Sequence, residues 1–199
     1  DIWTEEMMET YNQKKPIVYQ TIQMYRHDRL GYFSNLIKIA TERGYFIGIK
    51  IVRGAYIEKE NERANELGYP TPMQPNKAAT DRDYNAALRE SILHIDRVAL
   101  CAGTHNEESA ALLAVLIDEK GIPRDHPHVL FAQLLGMSDH ISFNLAHNGY
   151  RSSKYLPYGP VKSVLPYLFR RAAENTSIAG QSSREVELLR KEVKRRGLL

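Results

Sequence analysis

A single cysteine, Cys101, in 199 residues excludes an internal disulfide framework and any cysteine zinc cage. It suits a reducing compartment without specifying one. No apolar run reaches the roughly 18 to 20 residues needed to span a bilayer. The start, Asp1-Ile2-Trp3-Thr4-Glu5-Glu6, is neither a signal peptide nor a basic transit segment, and the absence of Met reads as a chain that begins mid-protein. Charge of one sign is also scarce: 27 Lys plus Arg against 24 Asp plus Glu leave a formal charge of +3, too little to argue for nucleic acid or an acidic membrane surface. The sequence holds no G-x-G-x-x-G after a strand, no phosphate-binding G-x-x-x-x-G-K-[ST] and no G-x-S-x-G nucleophile elbow. Internal repeats and low-complexity segments are lacking as well. What is present, 43% hydrophobic and 26% charged residues, is the balance of a globular protein able to bury a core.

Five short apolar or β-branched runs stand out: Pro16 to Tyr25, Tyr45 to Val52, Arg97 to Thr104, His128 to Leu134 and Ser153 to Pro157. Each precedes a helical stretch. Tyr32 to Arg43 carries Phe33, Leu36, Ile37 and Ala40 at helical spacing and stops at Gly44. After the second run come Ile57 to Leu67, a Pro-rich turn over Gly68 to Pro75, and Asp81 to Ile95 with Thr80 as N-cap. Glu107 to Lys120 follows the third, capped by Asn106 and closed by Gly121. Ser138 to Ala146 and Val161 to Asn175 follow the last two. Strict alternation predicts a parallel sheet with helices outside. A full (β/α)8 barrel takes about 250 residues, so five units read as strands 4 to 8 of a TIM-type barrel, with an open doubly wound sheet as the alternative. On this reading residues 1–199 are the C-terminal portion of one barrel domain, and 176–199 form a helical tail. In that tail Val186, Leu189 and Val193 share a side, with Glu187 to Lys191 and Glu192 to Arg196 at i,i+4 spacing.

Barrel chemistry gathers at the C-terminal ends of the strands. The polar residues expected there are Gln23 with Tyr25; Lys50, Arg53 and Gly54; Thr104, His105 and Asn106; Gln133 beside Leu134; and Tyr155. Any one of them is also an ordinary strand end. His126-Pro127-His128 has the i,i+2 spacing of a metal-binding pair, but it precedes its strand and so falls at the opposite end of the barrel. In the last helix Tyr167, Arg170, Arg171 and Glu174 fall at i, i+3, i+4 and i+7, on one face. Two arginine forks there match a carboxylate or phosphate, with Glu174 placed to hold them; an exposed Arg-Glu pair is the bland alternative.

Five strings carry a specific resemblance: Ile49-Lys50-Ile51-Val52-Arg53-Gly54-Ala55-Tyr56, Thr104-His105-Asn106-Glu107, Phe131-Ala132-Gln133-Leu134-Leu135-Gly136-Met137, Tyr155-Leu156-Pro157-Tyr158-Gly159-Pro160 and Tyr167-Leu168-Phe169-Arg170-Arg171-Ala172-Ala173-Glu174-Asn175. In order and spacing they resemble the flavin-dependent proline dehydrogenases, most closely the single-function branch that includes the mitochondrial enzymes. The resemblance implies a distorted (β/α)8 barrel with FAD at the C-terminal strand ends. It implies oxidation of L-proline to 1-pyrroline-5-carboxylate, with hydride passing to flavin N5 and electrons to a membrane quinone. Arg170 and Arg171 are then expected to clamp the substrate carboxylate, and Tyr155, Tyr167 and Leu134 to wall the ring. Gln23, Lys50, Val52, Gly54 and Ala55, with Thr104, His105 and Asn106, are expected to hold the flavin, and Glu174 to steady the arginine side. Many members carry Arg where this chain has Lys50, which replaces a guanidinium by a point-charge ammonium.

The implied early strands, which supply a lysine and an acidic residue, match no part of this chain. An upstream barrel half, in the same polypeptide or a second chain, is therefore expected as a partner, and the 199 residues alone are expected not to be a competent catalyst. The implied location is peripheral, on the cytoplasmic face of a bacterial inner membrane or the matrix side of the mitochondrial one. A catalytically inactive flavin-binding or regulatory relative and a metal-dependent barrel hydrolase are the competing readings.

Overall fold

The computed structural model describes residues 1–177 and 181–197, and the side chains of 172–185 fall outside that description. The backbone divides into two compact units, Asp1–Tyr155 and Leu156–Leu199. The first holds α1 (Ile2–Tyr11), β1 (Tyr19–Gln23), α2 (Arg29–Arg43), β2 (Ile47–Val52), α3 (Ile57–Leu67), α4 (Lys77–Leu93), β3 (Val98–Gly103), α5 (Glu107–Glu119), β4 (Val129–Leu134), α6 (Asp139–His147) and β5 (Ser152–Tyr155). The second holds α7 (Val161–Ser177) and α8 (Gln181–Arg195), and the division between the two units follows Tyr155.

All five strands are parallel, in the order β1-β2-β3-β4-β5. An open doubly wound sheet reverses its strand order at a switch point, and this sheet never does, which removes that alternative. With right-handed crossovers throughout, a monotonic order puts every connecting helix on the same face, as in a (β/α) barrel. That face is dry. Ile22, Ile47, Ile49, Ile51, Leu100, Ala102, Val129 and Phe131 pack there against Phe33, Leu36 and Ile37 of α2, Tyr84 and Leu88 of α4, and Leu113 and Ile117 of α5.

Local chemistry sets most boundaries. Gly44, at φ 82°, and Gly68, at φ 69°, end α2 and α3 in the left-handed conformation, which glycine adopts without a Cβ clash. Asn106 caps α5 by accepting from the Ser109 N–H at 2.8 Å. The cap of α4 is Asn76, which accepts from Ala79 N–H at 2.9 Å, and not Thr80. The helix therefore starts one turn earlier than the apolar spacing implies, because Ala78 and Ala79 are strong helix formers directly behind a good cap. Helix α1 carries a weak periodic signal, with only Met8 buried, and the sequence reading does not contain it.

Its C-terminal neighbour Asn12 anchors α1 to the sheet. The fully buried Asn12 amide donates to Val18 O (2.9 Å) and Phe46 O (3.0 Å) and accepts from Ile17 N–H (2.9 Å) and Val18 N–H (2.8 Å). Four main-chain groups at the starts of β1 and β2 depend on this one side chain. Asn12→Ala is expected to destabilise the protein by about 3 kcal/mol, since stranded buried polar groups cost roughly 1 to 3 kcal/mol each and water restores some of them. Chemical denaturation of the full-length protein checks this, and a change under about 1 kcal/mol would show that the amide is dispensable.

Candidate active site

Strand register decides which side chains share the face opposite the helices. Pairing Thr21 with Lys50, Lys50 with Cys101 and Cys101 with Leu130 makes one row. Pairing Gln23 with Val52, Gly103 with Ala132 and Ala132 with Ser153 makes the next, and Leu134 with Tyr155 stands at the C-terminal edge. Thus Gln23, Lys50, Val52, Leu134 and Tyr155, five residues expected at the site, lie on one face of the sheet. Gln133 does not. Strand parity turns it to the helix side, where it is buried, donates to Thr104 O (3.1 Å) and accepts from Ser142 Oγ (2.8 Å).

β2 and β5 are separated by β3 and β4, and the long Lys50 and Tyr155 side chains reach across this face to bring Lys50 Nζ within 5.4 Å of the Tyr155 ring centroid. That is cation–π range. Cys101 sits beside Lys50; burial pushes its thiol up and the Lys50 ammonium pulls it partway back. An amide at Gln23 and an ammonium at Lys50, set among Val52, Ala132 and Leu134, form a donor set suited to a flat heteroaromatic with polar edges, so the residues fit a flavin.

The turn after β2 is held from below by Arg53. Its guanidinium donates through Nε to Asp81 (2.6 Å), through Nη1 to Thr104 Oγ1 (2.8 Å) and through Nη2 to Ser109 Oγ (2.9 Å), and it lies 4.3 Å from the Tyr84 ring centroid. One side chain thereby ties the end of β2 to α4, to the end of β3 and to α5. Gly54 follows at φ 125°, and a Cβ there would stand 2.4 Å from the Tyr25 ring. Glycine is required at this position by Tyr25 as well as by its backbone angle. Ala55 is partly exposed beside it.

Thr104, His105 and Asn106 leave β3 together, but two of them spend side-chain oxygens on the fold. Thr104 Oγ1 accepts from Arg53 and from Asn106 N–H (3.1 Å), and Asn106 Oδ1 caps α5. His105 Nδ1 lies 3.0 Å from Ser138 Oγ. At the opposite end of the sheet, the His126-His128 pair is accounted for by packing. His128 Nδ1 bonds Ile95 O at 2.8 Å, and the two rings meet edge to face at 5.2 Å. Burial and the neighbouring His128 both push the His126 pKa down. Among the described residues no three His, Cys, Asp or Glu side chains converge as a metal site.

In the second unit, α7 presents the Tyr167, Arg170 and Arg171 stripe, with the Arg171 guanidinium 5.0 Å from the Tyr167 ring centroid. The side chain of Glu174 lies outside the described residues. Two features of the site have no signature in the sequence reading: the Arg53 partners Asp81, Tyr84 and Ser109, and Ser138 opposite His105. The only cue to Ser138 is its place just after Gly136-Met137, where a chain reversal admits an unusual backbone angle.

The family model described as Proline dehydrogenase matches residues 1–184. Among curated proteins the chain is similar to "Proline dehydrogenase 1, mitochondrial" of Homo sapiens, 41% identical over 197 residues, which cover 97% of this chain and 33% of the relative. It is equally similar to "Hydroxyproline dehydrogenase" of Xenopus laevis, 41% identical over 197 residues covering 97% of this chain and 42% of that one. The Drosophila melanogaster "Proline dehydrogenase 1, mitochondrial" is 37% identical, with 97% of this chain and 30% of the relative covered. The chain thus spans about a third of the length of these relatives. Among solved structures it resembles proline utilization A (PutA) from Bdellovibrio bacteriovorus inactivated by N-propargylglycine. The TM-score is 0.80 at 28% identity, over 88% of this chain and 18% of that one.

Proposed function

The chain belongs to the proline dehydrogenase family, and from that premise we propose that it forms part of a flavoprotein that oxidises L-proline to 1-pyrroline-5-carboxylate. The observation that carries the reading is the gathering of Gln23, Lys50, Val52, Leu134 and Tyr155 on one face at the C-terminal side of a parallel sheet. FAD, when bound, would supply the two-electron oxidant for converting the ring C–N bond to C=N, with a quinone as the final electron acceptor.

The protein's own residues bind, orient and exclude. Gln23, Lys50, Val52, Gly54 and Ala55 hold the flavin from β1 and from β2 with its following turn, His105 from the end of β3, and Thr104 and Asn106 shape that exit. Arg170 and Arg171 bind the substrate carboxylate through planar forks, and Glu174 steadies them. Tyr155, Leu134 and Tyr167 give the ring an apolar wall that limits its size and keeps water away. The catalytic protein includes an upstream barrel half, which completes the wall of side chains around the flavin. We place it peripherally at an inner membrane near its quinone, on the matrix side for a eukaryotic source or the cytoplasmic face for a bacterial one; the names of the relatives support a mitochondrial location and no more. No helix among the described residues is long and apolar enough to cross a membrane.

Relatives named for proline and for hydroxyproline are equally identical to this chain, so the substrate rests on the pocket wall. Tyr155, half exposed on the edge strand β5, is the residue we assign to close that wall. Tyr155→Ser in the full-length protein is expected to lower kcat/KM for proline about ten-fold and to shift the proline to hydroxyproline ratio toward hydroxyproline by a similar factor, because the added hydroxyl gains room and a polar neighbour. Steady-state kinetics with both substrates checks it. An unchanged ratio would remove Tyr155 from the wall, and absence of turnover with either substrate in the parent protein would overturn the functional reading.

A further inference from the structure

Gly54 is the least self-supporting residue of the candidate site. At φ 125° its backbone lies where L side chains rarely go, and glycine has no conformational preference of its own that would keep it there. The angle has to be imposed from outside, and Tyr25, just past the end of β1, is the residue in contact. A Cβ built on Gly54 would fall within 2.6 Å of three adjacent ring carbons, Cγ, Cδ1 and Cε1. Near-equal distances to three neighbouring carbons mean that the glycine rests over the face of the ring, main chain against ring with no side chain between them.

Tyr25 is itself held on both sides. Its N–H donates to Arg53 O at 2.7 Å, one residue ahead of Gly54, and its carbonyl accepts from Gln74 N–H at 2.7 Å, in the turn that precedes α4. Flanking bonds run from Met24 N–H to Val52 O (2.9 Å) and from His27 N–H to Pro72 O (3.0 Å). Tyr25 is 3% exposed, so the ring has nowhere to swing. Core side chains that pack on other side chains pass a change of volume on to rotamers, whereas a backbone resting on a ring moves with that ring. Arg53 is fixed independently, by the bonds of its guanidinium to Asp81, Thr104 and Ser109. The Tyr25 ring then sets where Gly54 and Ala55 stand.

We propose that Tyr25 is a positioning residue of the cofactor site, its ring the floor that holds the Gly54-Ala55 main chain at the height and angle a bound flavin requires. This deepens, and rests on, the reading of Gly54 and Ala55 as flavin contacts. The work falls to the ring and none of it to the hydroxyl, so phenylalanine serves at this position and an aliphatic chain does not. Without the ring a void lies beneath glycine, the residue with the most freedom to move into it, and the turn no longer meets the cofactor ready-formed.

The test compares Tyr25→Phe with Tyr25→Leu and Tyr25→Met in the full-length protein, and either aliphatic variant that folds serves. FAD affinity is read by fluorescence titration of the apoprotein, the surroundings of the bound flavin by visible circular dichroism, and stability by thermal melts. Asn12→Ala, at the opposite end of the sheet, is the control for lost stability alone and should lower Tm with FAD affinity unchanged. Positioning predicts FAD affinity within about two-fold of the parent for Tyr25→Phe, and about ten-fold weaker, with altered flavin dichroism, for the aliphatic variants. A loss in Tyr25→Phe equal to theirs would overturn the assignment to the ring. Gly54→Ala separates this role from the reading beneath it. If Gly54→Ala weakens FAD and the aliphatic variants bind it as the parent does, the positioning role fails while the flavin contact stands. If folded Gly54→Ala keeps the parent's FAD affinity, the contact itself fails, and the positioning role fails with it.

Discussion

Replacing Arg170 and Arg171 together by alanine in the full-length protein is expected to lower kcat/KM for proline by at least about a thousand-fold, with FAD content retained. Each charge-assisted hydrogen bond to a carboxylate is worth roughly 1.5 to 3 kcal/mol, so each single variant should lose about ten- to a hundred-fold. The effects of two forks on one carboxylate compound, because the first loss leaves the substrate held at one point and free to rotate away from a reactive orientation. Lysine is not an adequate substitute at either position, since an ammonium keeps the charge without the planar pair of donors. Arg171→Lys is expected to recover less than about a tenth of the lost activity, more so because its guanidinium lies over the Tyr167 ring. Stopped-flow reduction and steady-state kinetics of the single and double variants measure this. Normal proline kinetics in both single variants would remove the clamp.

Arg53→Met is expected to be the most destabilising single change, at about 3 to 5 kcal/mol. Breaking a partly buried ion pair that also carries hydrogen bonds strands its partners. Asp81 keeps Lys77, but Thr104 Oγ1 and Ser109 Oγ each lose a donor, and the Tyr84 ring loses the cation above it. The effect also has a pH signature. Burial pushes the Asp81 carboxyl up, and the bonds from Lys77 and Arg53 outweigh it, leaving the pKa below its ordinary value. A carboxyl lowered in the folded state contributes stability that is present above its unfolded value, near about 4, and is lost as pH falls through the lowered folded value. The parent protein should therefore lose stability across that acid window, and Arg53→Met should lose less there, having already forfeited one of the two partners. Thermal melts between pH 7 and the acid range check both claims, and parallel pH curves for parent and variant would separate Asp81 from Arg53.

The strands were legible because their residues are β-branched and bounded by turn chemistry: β2, Ile47–Val52, reads as a strand from Ile-Gly-Ile-Lys-Ile-Val alone. Parity was legible as well. Once Ile47, Ile49 and Ile51 are assigned to the helix side, Lys50 and Val52 must face the other way. The start of α4 was missed for a local reason, since Thr80 lies nearer the first apolar repeat whereas Asn76 makes the better cap. Arg53 could not be read at all. Its three hydrogen-bond partners are 28, 51 and 56 residues away, and no local pattern links an arginine after a strand to an aspartate, a threonine and a serine on other elements. The Ser138 contact is hidden for a related reason, because its histidine partner lies 33 residues away. The sequence thus announces which residues line the site more readily than which residues hold the lining in place.

The central claim is that the sheet face carrying Gln23, Lys50, Val52, Leu134 and Tyr155 belongs to a flavin site that proline reduces. Its most direct test is anaerobic addition of L-proline to the purified full-length protein while the visible spectrum is recorded. The account predicts an oxidised-flavin band near about 450 nm that bleaches with L-proline, with Lys50→Met lowering the flavin occupancy. A protein that binds no flavin, or one whose flavin band is unmoved by proline and by hydroxyproline, would contradict it.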